Sequence, residues 1–264
     1  MNKKFNISIL ASIVLSSALL FSSCSKDKDE TPDPDPVNPV APKLSIEFDH
    51  LAGNKKFYYD STYTTANGDL ITPTLFKYYV SNIRLVGVNN AEYVVPESYH
   101  LIDHDNDASK IVNLSNLPAG KFKSIRFILG VDSARNVSGA QTGALDPING
   151  MFWTWNSGYI FLKLEGTSPS VPSATNDFSF HIGGFKAPNV NFKEIELDFD
   201  GDELVLANGG NPELHIVTDV LEIFTNPNNI NLSSFGPTVH MPNTNAGILS
   251  QNYSDMFRYD HIHE

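Results

Sequence analysis

MFWTWNSGYIFLKLEG, residues 151–166, holds both tryptophans of the chain two residues apart and reads as extended backbone. Side chains on a strand alternate between faces, so Trp153 and Trp155 are expected to share one surface. Gly158 can bend or bulge such a strand. Tyr159, Phe161, Leu162 and Leu164 continue it as a buried β-strand ending at Glu165-Gly166. On composition alone, two indoles in such a segment are expected to pack a core.

The same alternation recurs on both sides of this stretch. LSIEFDH (residues 44–50) sets Leu44, Ile46 and Phe48 against polar partners and ends at His50, and Lys55 to Tyr59 is expected to pair back on it. Asn67-Gly68 is a tight-turn signal. LFKYYVSNIRLVGV (75–88) reads as a long central strand with an irregularity near Ser81-Asn82. Short strands are expected at 93–95, 99–102 and 111–114. GKFKSIRFILGVD (120–132) aligns Ile125, Phe127, Leu129 and Val131 on one face, with Phe122 out of phase. Residues 134–150 carry Gly139, Gly143 and Pro147 and read as a long loop, a length that in compact domains is commonly functional. DFSFHIGG (177–184) puts Phe178, Phe180 and Ile182 on one face and His181 on the other. KEIELDFDGDELVLA (193–207) reads as a hairpin turning at Asp200-Gly201. Leu214 to Val217 reads as a strand, 219–225 as a short helix, and 245–257 as a helix packed on the end of a sheet. The closing RYDHIHE is expected to be a frayed polar terminus, although His261 and His263 on a strand would share a face. Many short strands with frequent turns indicate an all-β fold, a β-sandwich of Greek-key-like type with a short C-terminal helix.

The start of the chain speaks to compartment. Lys3 and Lys4 precede an apolar run from Ile7 to Phe21, then Ser22-Ser23-Cys24. The run is about 15 residues, short of the roughly 20 that span a bilayer, and reads as a secretory signal. Its end resembles a bacterial lipoprotein signal with Cys24 as the acylated residue, so the membrane link is the lipid anchor and the expected location is the outer membrane, facing the periplasm or the cell surface. Residues 24–42 are a charged, proline-rich tether, and 43–264 are the folded domain. Cys24 is the one cysteine, so the domain has no disulfide. The formal charge is −12, and removing residues 1–23, with two lysines and no acid, gives −14. Such a balance argues against nucleic acid as a partner. A monomer is expected.

Zinc-protease, nucleophile-elbow, phosphate-loop and haem-attachment motifs are missing from the sequence, so no enzyme is expected. DHDND (103–107) offers oxygens to a hard cation, with a solvated turn as its ordinary reading. The acids Asp198, Asp200 and Asp202 lack the glycine placement of a calcium loop. Imidazole and thioether donors suit copper. The candidates are His50 at a strand end, His181 on a non-core face, and His240-Met241. Met151 and Met256 are expected in the core.

KYYVSNIRL (77–85), LGVD (129–132), LDP (145–147), the tryptophan segment, FSFHIGG (178–184) and HMPNTNAGILSQNYSDMF (240–257) together resemble the MbnP-like copper-binding family. That resemblance implies an extracytoplasmic β-sandwich that binds copper as Cu(I). It also implies a di-haem, peroxidase-like (MbnH-like) partner that oxidises a tryptophan to kynurenine. On this basis Trp155, then Trp153, is the residue to be modified, His181 the first ligand and His50 the second. Opening the indole turns a donor-only ring into an aromatic amine able to join histidines around the metal. The competing expectation is a carbohydrate- or peptide-binding module with Trp153, Trp155 and Tyr159 as a stacking platform.

Overall fold

Strand alternation builds two facing sheets. The computed structural model describes residues 39–139, 141–154 and 156–264; the leader, Cys24, the tether up to residue 38 and Trp155 lie outside the described residues. β1 (Leu44–Ala52) turns Leu44, Ile46 and Phe48 inward, and β2 (Lys55–Lys56) pairs back on it. β3 (Tyr63–Thr64) forms a hairpin across Asn67-Gly68 with β4 (Leu70–Gly87), the longest strand, whose register shifts between Ser81 and Arg84 where Asn82 takes φ 53°. β5 (Glu92–Val94) and β6 (Tyr99–Asp103) pair with β4, whereas β7 (Ile111–Leu114) crosses to β1. β8 (Gly120–Leu129) returns to β4, and a register shift opposite Phe122 accounts for that residue's broken phase.

Residues 134–150, expected to be a loop, begin with a helical turn, α1 (Ser133–Asn136), capped by the Asp132 carboxylate, and continue through two 3-10 turns, Gly143–Leu145 and Pro147–Asn149. The tryptophan segment is a hairpin rather than one strand: β9 (Phe152–Thr154) pairs with β10 (Gly158–Thr167). Gly158, the first residue of β10 at φ 74°, has to be glycine, because an added Cβ there would meet the Asn136 side chain at 2.1 Å. β11 (Asp177–Gly183) follows, then the small pair β12 (Phe185–Lys186) and β13 (Asn189–Val190).

The hairpin expected over 193–207 does not form. β14 (Lys193–Asp198) and β15 (Leu204–Leu206) both pair with β8, in line along the same edge. The turn at Asp200-Gly201 is an excursion between them, since each segment finds its partner in β8 rather than in the other.

β16 (Glu213–Asp219) runs parallel to β1. A 3-10 turn (Val220–Phe224), α2 (Leu232–Phe235), β17 (Thr238–His240) and α3 (Thr244–Asn252) lead to the last strand. The Asn243 side chain caps α3, accepting from Ala246 N–H at 2.8 Å. The helix ends before Phe257, and RYDHIHE is no frayed tail. It is most of β18 (Phe257–His263), which pairs antiparallel with β16 because Phe257 has a place in the core.

The smaller sheet orders β18-β16-β1-β2, with β7 also on β1; the larger runs β14-β8-β4-β10-β11-β17. Phe48 of the small sheet meets Tyr78 and Phe127 of the large one edge-on at 6.3 and 6.1 Å, and Phe127 meets Phe257 at 5.1 Å. This is an all-β sandwich with a short helix near its C-terminus, as expected. Met256 belongs to that core.

A second, smaller apolar cluster sits on the far side of the large sheet. Tyr79, Val131, Leu145, Met151, Tyr159 and Phe161 belong to it, with Trp153 packed against them. Residues 131–161 thus cover part of a sheet face that alternation alone would leave to solvent.

Candidate metal centre

β11 carries the first cluster. Its core-facing phenylalanines force Ser179, His181 and Gly183 onto the outer face. β11 pairs antiparallel with β10, setting His181 opposite Lys163, and parallel with β17, setting His181 opposite His240. The two imidazoles stack at 4.1 Å between centroids, 16° from parallel. The Ser179 hydroxyl lies 3.1 Å from His181 Nε2 and 2.8 Å from His240 Nε2, and Glu165 Oε1 lies 2.6 Å from His181 Nε2.

Burial lowers the His181 pKa, the Glu165 hydrogen bond opposes that shift, and Lys163 and His240 add to it. His181 is therefore neutral at pH 7, the form that ligates metal. His240 is exposed, and Met241 follows it at φ 77° on the rim of a cavity of about 270 Å³ shared with Ser157, Phe185 and Pro242.

Trp153 stands beside this pair. Its ring covers Gly183, where an added Cβ would lie 2.7 Å from Trp153 Cζ3 and 2.4 Å from Tyr159 O. Since residues two apart on a strand share a face, the next side chain along β11 beside that indole is His181. The hairpin bearing Trp153 is pinned by Asn136, whose Nδ2 donates to Val131 O and Asp132 O while its Oδ1 accepts from Tyr159 N–H. Trp153 is half-buried, and Tyr159 is buried with its hydroxyl donating to Leu145 O at 2.7 Å. Tyr159 therefore offers no stacking surface to a sugar or peptide. The expected oxidation of Trp155 and lipidation of Cys24 fall outside the described residues.

His50 lies elsewhere, inside the sandwich. Its Nδ1 is 3.0 Å from His104 Nδ1, its Nε2 is 3.0 Å from the Tyr78 hydroxyl, and that hydroxyl is 3.1 Å from Thr218 Oγ1. Phe57, Tyr59 and Phe76 ring the two imidazoles. Burial and His104 push the His50 pKa well down, and burial lowers that of His104. His50 is on β1 of the smaller sheet and His181 on β11 of the larger, so the structure does not bring these two expected ligands into one cluster. His104 was hidden in sequence inside the acidic DHDND loop. That loop gathers no cation cage: Asp103 pairs with Lys77 at 2.7 Å and Asp107 with Lys110 at 2.5 Å. Around the Asp200 turn, Asp198 accepts from Asp200 N–H and Asp202 from the Tyr259 hydroxyl.

Fold and site together define a β-sandwich whose sheet surfaces carry clustered imidazoles, donors suited to soft and borderline metal ions. The chain belongs to the MbnP family, whose model matches residues 41–242. Among solved structures, MbnP from Methylosinus trichosporium is similar at 15% identity over 72% of this chain and 79% of that one, with a TM-score of 0.49. No curated protein sequence matches. The matched span includes His50, Trp153, His181 and His240, and ends before β18.

Proposed function

We propose that this is a lipid-anchored, extracytoplasmic copper-binding protein of the outer membrane, a carrier rather than a catalyst, acting in copper acquisition or homeostasis. Membership of the MbnP family supports a copper-related role. The observation that carries the finer reading is the strand register that sets His240 beside His181 on the face where Trp153 covers Gly183. His181 and His240 are the ligands proposed for Cu(I), with Glu165 holding the first imidazole in place and Met241 at the rim.

A kynurenine amine made from Trp153 or Trp155 would complete the set. A di-haem, peroxidase-like partner supplies the oxidation: two peroxide equivalents break the indole C2–C3 bond and leave an oxygen on each carbon, and hydrolysis then releases the formyl carbon as formate.

The test is intact mass and peptide mapping of protein from its native host, grown with and without copper. The tryptic peptide Asn136–Lys163 is expected to gain about 4 Da, one oxygen added and one carbon lost. His181→Ala is expected to weaken Cu(I) binding by about 100-fold in competition with a chelator. Two unmodified tryptophans together with unchanged Cu(I) affinity in His181→Ala would sink this reading.

A further inference from the structure

We propose that the solvent face of the smaller sheet carries a second metal site, built from His215, His261 and His263 with Glu213, that takes a divalent first-row ion of the zinc and copper(II) class. On β16, Leu214 and Ile216 face the core, which sends Glu213 and His215 outward; on β1, Ile46 and Phe48 do the same for Glu47 and Asp49. The register lines up Glu47, His215 and His261 across three adjacent strands, and sets Glu213 opposite His263 in the next row.

A bulge brings the tail histidines to this face. Phe257 pairs with Thr218 and Tyr259 with Ile216, but His261, not Asp260, pairs with His215, so Asp260 is an extra residue. Without it, Phe257, Tyr259, His261 and His263 would all point one way. With it, Ile262 packs on the core and both histidines turn out toward His215. Bulges commonly re-aim side chains in this manner.

The rings are already gathered. One nitrogen from each histidine lies within 4.8 Å of the other two. His261 Nε2 and His263 Nε2 are 3.0 Å apart, and the His215 ring stacks on His261 at 4.3 Å and meets His263 edge-on at 5.2 Å. Nitrogens on a tetrahedral zinc lie about 3.4 Å from one another, so only small shifts separate this arrangement from a coordinating one.

Carboxylates hold the opposite ring nitrogens. Glu47 Oε2 is 3.3 Å from His215 Nδ1, and Asp260 Oδ2 is 2.8 Å from His261 Nδ1. Such contacts keep the proton on Nδ1 and aim a bare Nε2 at the metal. His215 Nε2 is buried with no hydrogen-bond partner among the described residues, and Glu213 Oε2 stands 3.8 Å from it as a fourth donor. An orphaned nitrogen pointing into a histidine cluster is costly unless something fills the gap. Three imidazoles, a carboxylate and no sulfur suit zinc or copper(II), with copper(II) the tighter.

The test titrates chelator-stripped, tag-free mature protein with Zn²⁺ and, separately, Cu²⁺ against a competing indicator. The wild type is expected to bind one divalent ion here and to melt higher with it. His263→Ala, whose side chain is exposed, is expected to weaken binding by about 100-fold, and His261→Ala/His263→Ala to abolish it. The double variant should keep its Cu(I) affinity, while His181→Ala should keep its Zn²⁺ affinity. Near-UV circular dichroism verifies that each variant is folded. Equal zinc stoichiometry and affinity in wild type and His263→Ala overturns the proposal, as does a wild type that takes up neither ion at tens of micromolar. Loss of Cu(I) binding in the double variant would instead count against the His181 assignment.

Discussion

Gly183→Ala is expected to abolish the proposed +4 Da modification of the tryptophan peptide and to lower the melting temperature by on the order of 10 °C. The methyl group would enter a space already filled on two sides, 2.4 Å from Tyr159 O and 2.7 Å from Trp153 Cζ3. Tyr159 O is backbone, and no rotamer change moves it. The indole must therefore lift away, or β10 and β11 must separate. Overpacking of this kind costs about 3 kcal/mol. The functional loss follows from geometry rather than from unfolding, because an indole lifted off Gly183 also leaves the His181 side of the strand. Gly166→Ala separates the two effects. There the added Cβ would meet Thr72 O at 2.6 Å and Phe178 Cζ at 2.8 Å, a comparable load placed away from Trp153. Gly166→Ala is expected to melt early and still be modified, measured by thermal denaturation and by mass of the Asn136–Lys163 peptide. Equal modification of the two glycine variants would show that the Trp153–Gly183 contact does not matter to the chemistry.

What could be read in advance was what alternation governs. LSIEFDH, KYYVSNIRL, KFKSIRFIL and DFSFHIGG each state which residues face the core, and His181 is outward for the reason that Phe180 and Ile182 are inward. Even the kink at Ser81-Asn82 was visible, because asparagine tolerates the left-handed backbone found there. Pairing between distant strands was not legible. His240 reaches His181 only through the parallel register of β11 and β17, which no local pattern encodes. His104 looked like part of an acidic turn, and only the fold sets it against His50. The Asp200 turn had every mark of a hairpin, yet β8 is long enough to accept both flanking segments. The C-terminal strand was hidden by its own bulge. With Asp260 extra, Ile262 falls out of phase with Phe257 and Tyr259, so RYDHIHE shows no clean alternation.

The clusters also differ in how the fold exposes them. His181 and His240 sit at the margin of the apolar patch formed by residues 131–161, which keeps Trp153 half-buried while leaving His240 open. A tryptophan so placed is restrained in orientation yet lies near the surface, within reach of the proposed oxidising partner. His50 and His104 are a different case: His50 is buried and bonded to Tyr78, whose hydroxyl meets Thr218, while half-buried His104 joins it at the wall of a cavity of about 420 Å³. Burial disfavours a charge on either imidazole, which carries a consequence for stability in acid.

In metal-free buffer, stability is expected to hold from pH 8 to about 6.5 and then to fall steeply toward pH 4, well before most carboxylates protonate. His50, His100 and His104 all have pKa values lowered chiefly by burial, His100 to about 4. A histidine whose folded pKa lies below its unfolded value of about 6.5 binds its proton first in the unfolded chain. The unfolded state then holds more protons throughout the window between the two values. Stability therefore rises with pH there and is lost as pH drops through it. For His100, on β6 opposite Val80, the window runs from 6.5 to about 4 and is worth about 3 kcal/mol. Its Nε2 is buried without a partner among the described residues, so protonation places a charge in a site that does not stabilise it. His50 extends the loss, because its Nδ1 sits 3.0 Å from that of His104 and the two imidazoles cannot both be charged at that distance. Asp132 acts later. Burial works against its charge, but hydrogen bonds from Tyr99 and Asn82 hold its pKa below the usual carboxylate range, so its contribution disappears only under stronger acid. Glu222 opposes the trend above the usual carboxylate range, since burial and the nearby Asp219 raise its pKa and the folded state takes up that proton first. Urea midpoints measured every half pH unit should show the histidine phase directly. His100→Gln, polar but not titratable, is expected to flatten the slope between pH 4 and 6.5 by about one proton, or about 1.4 kcal/mol per pH unit. A slope unchanged in His100→Gln would mean that this imidazole is not the group that the fold keeps neutral.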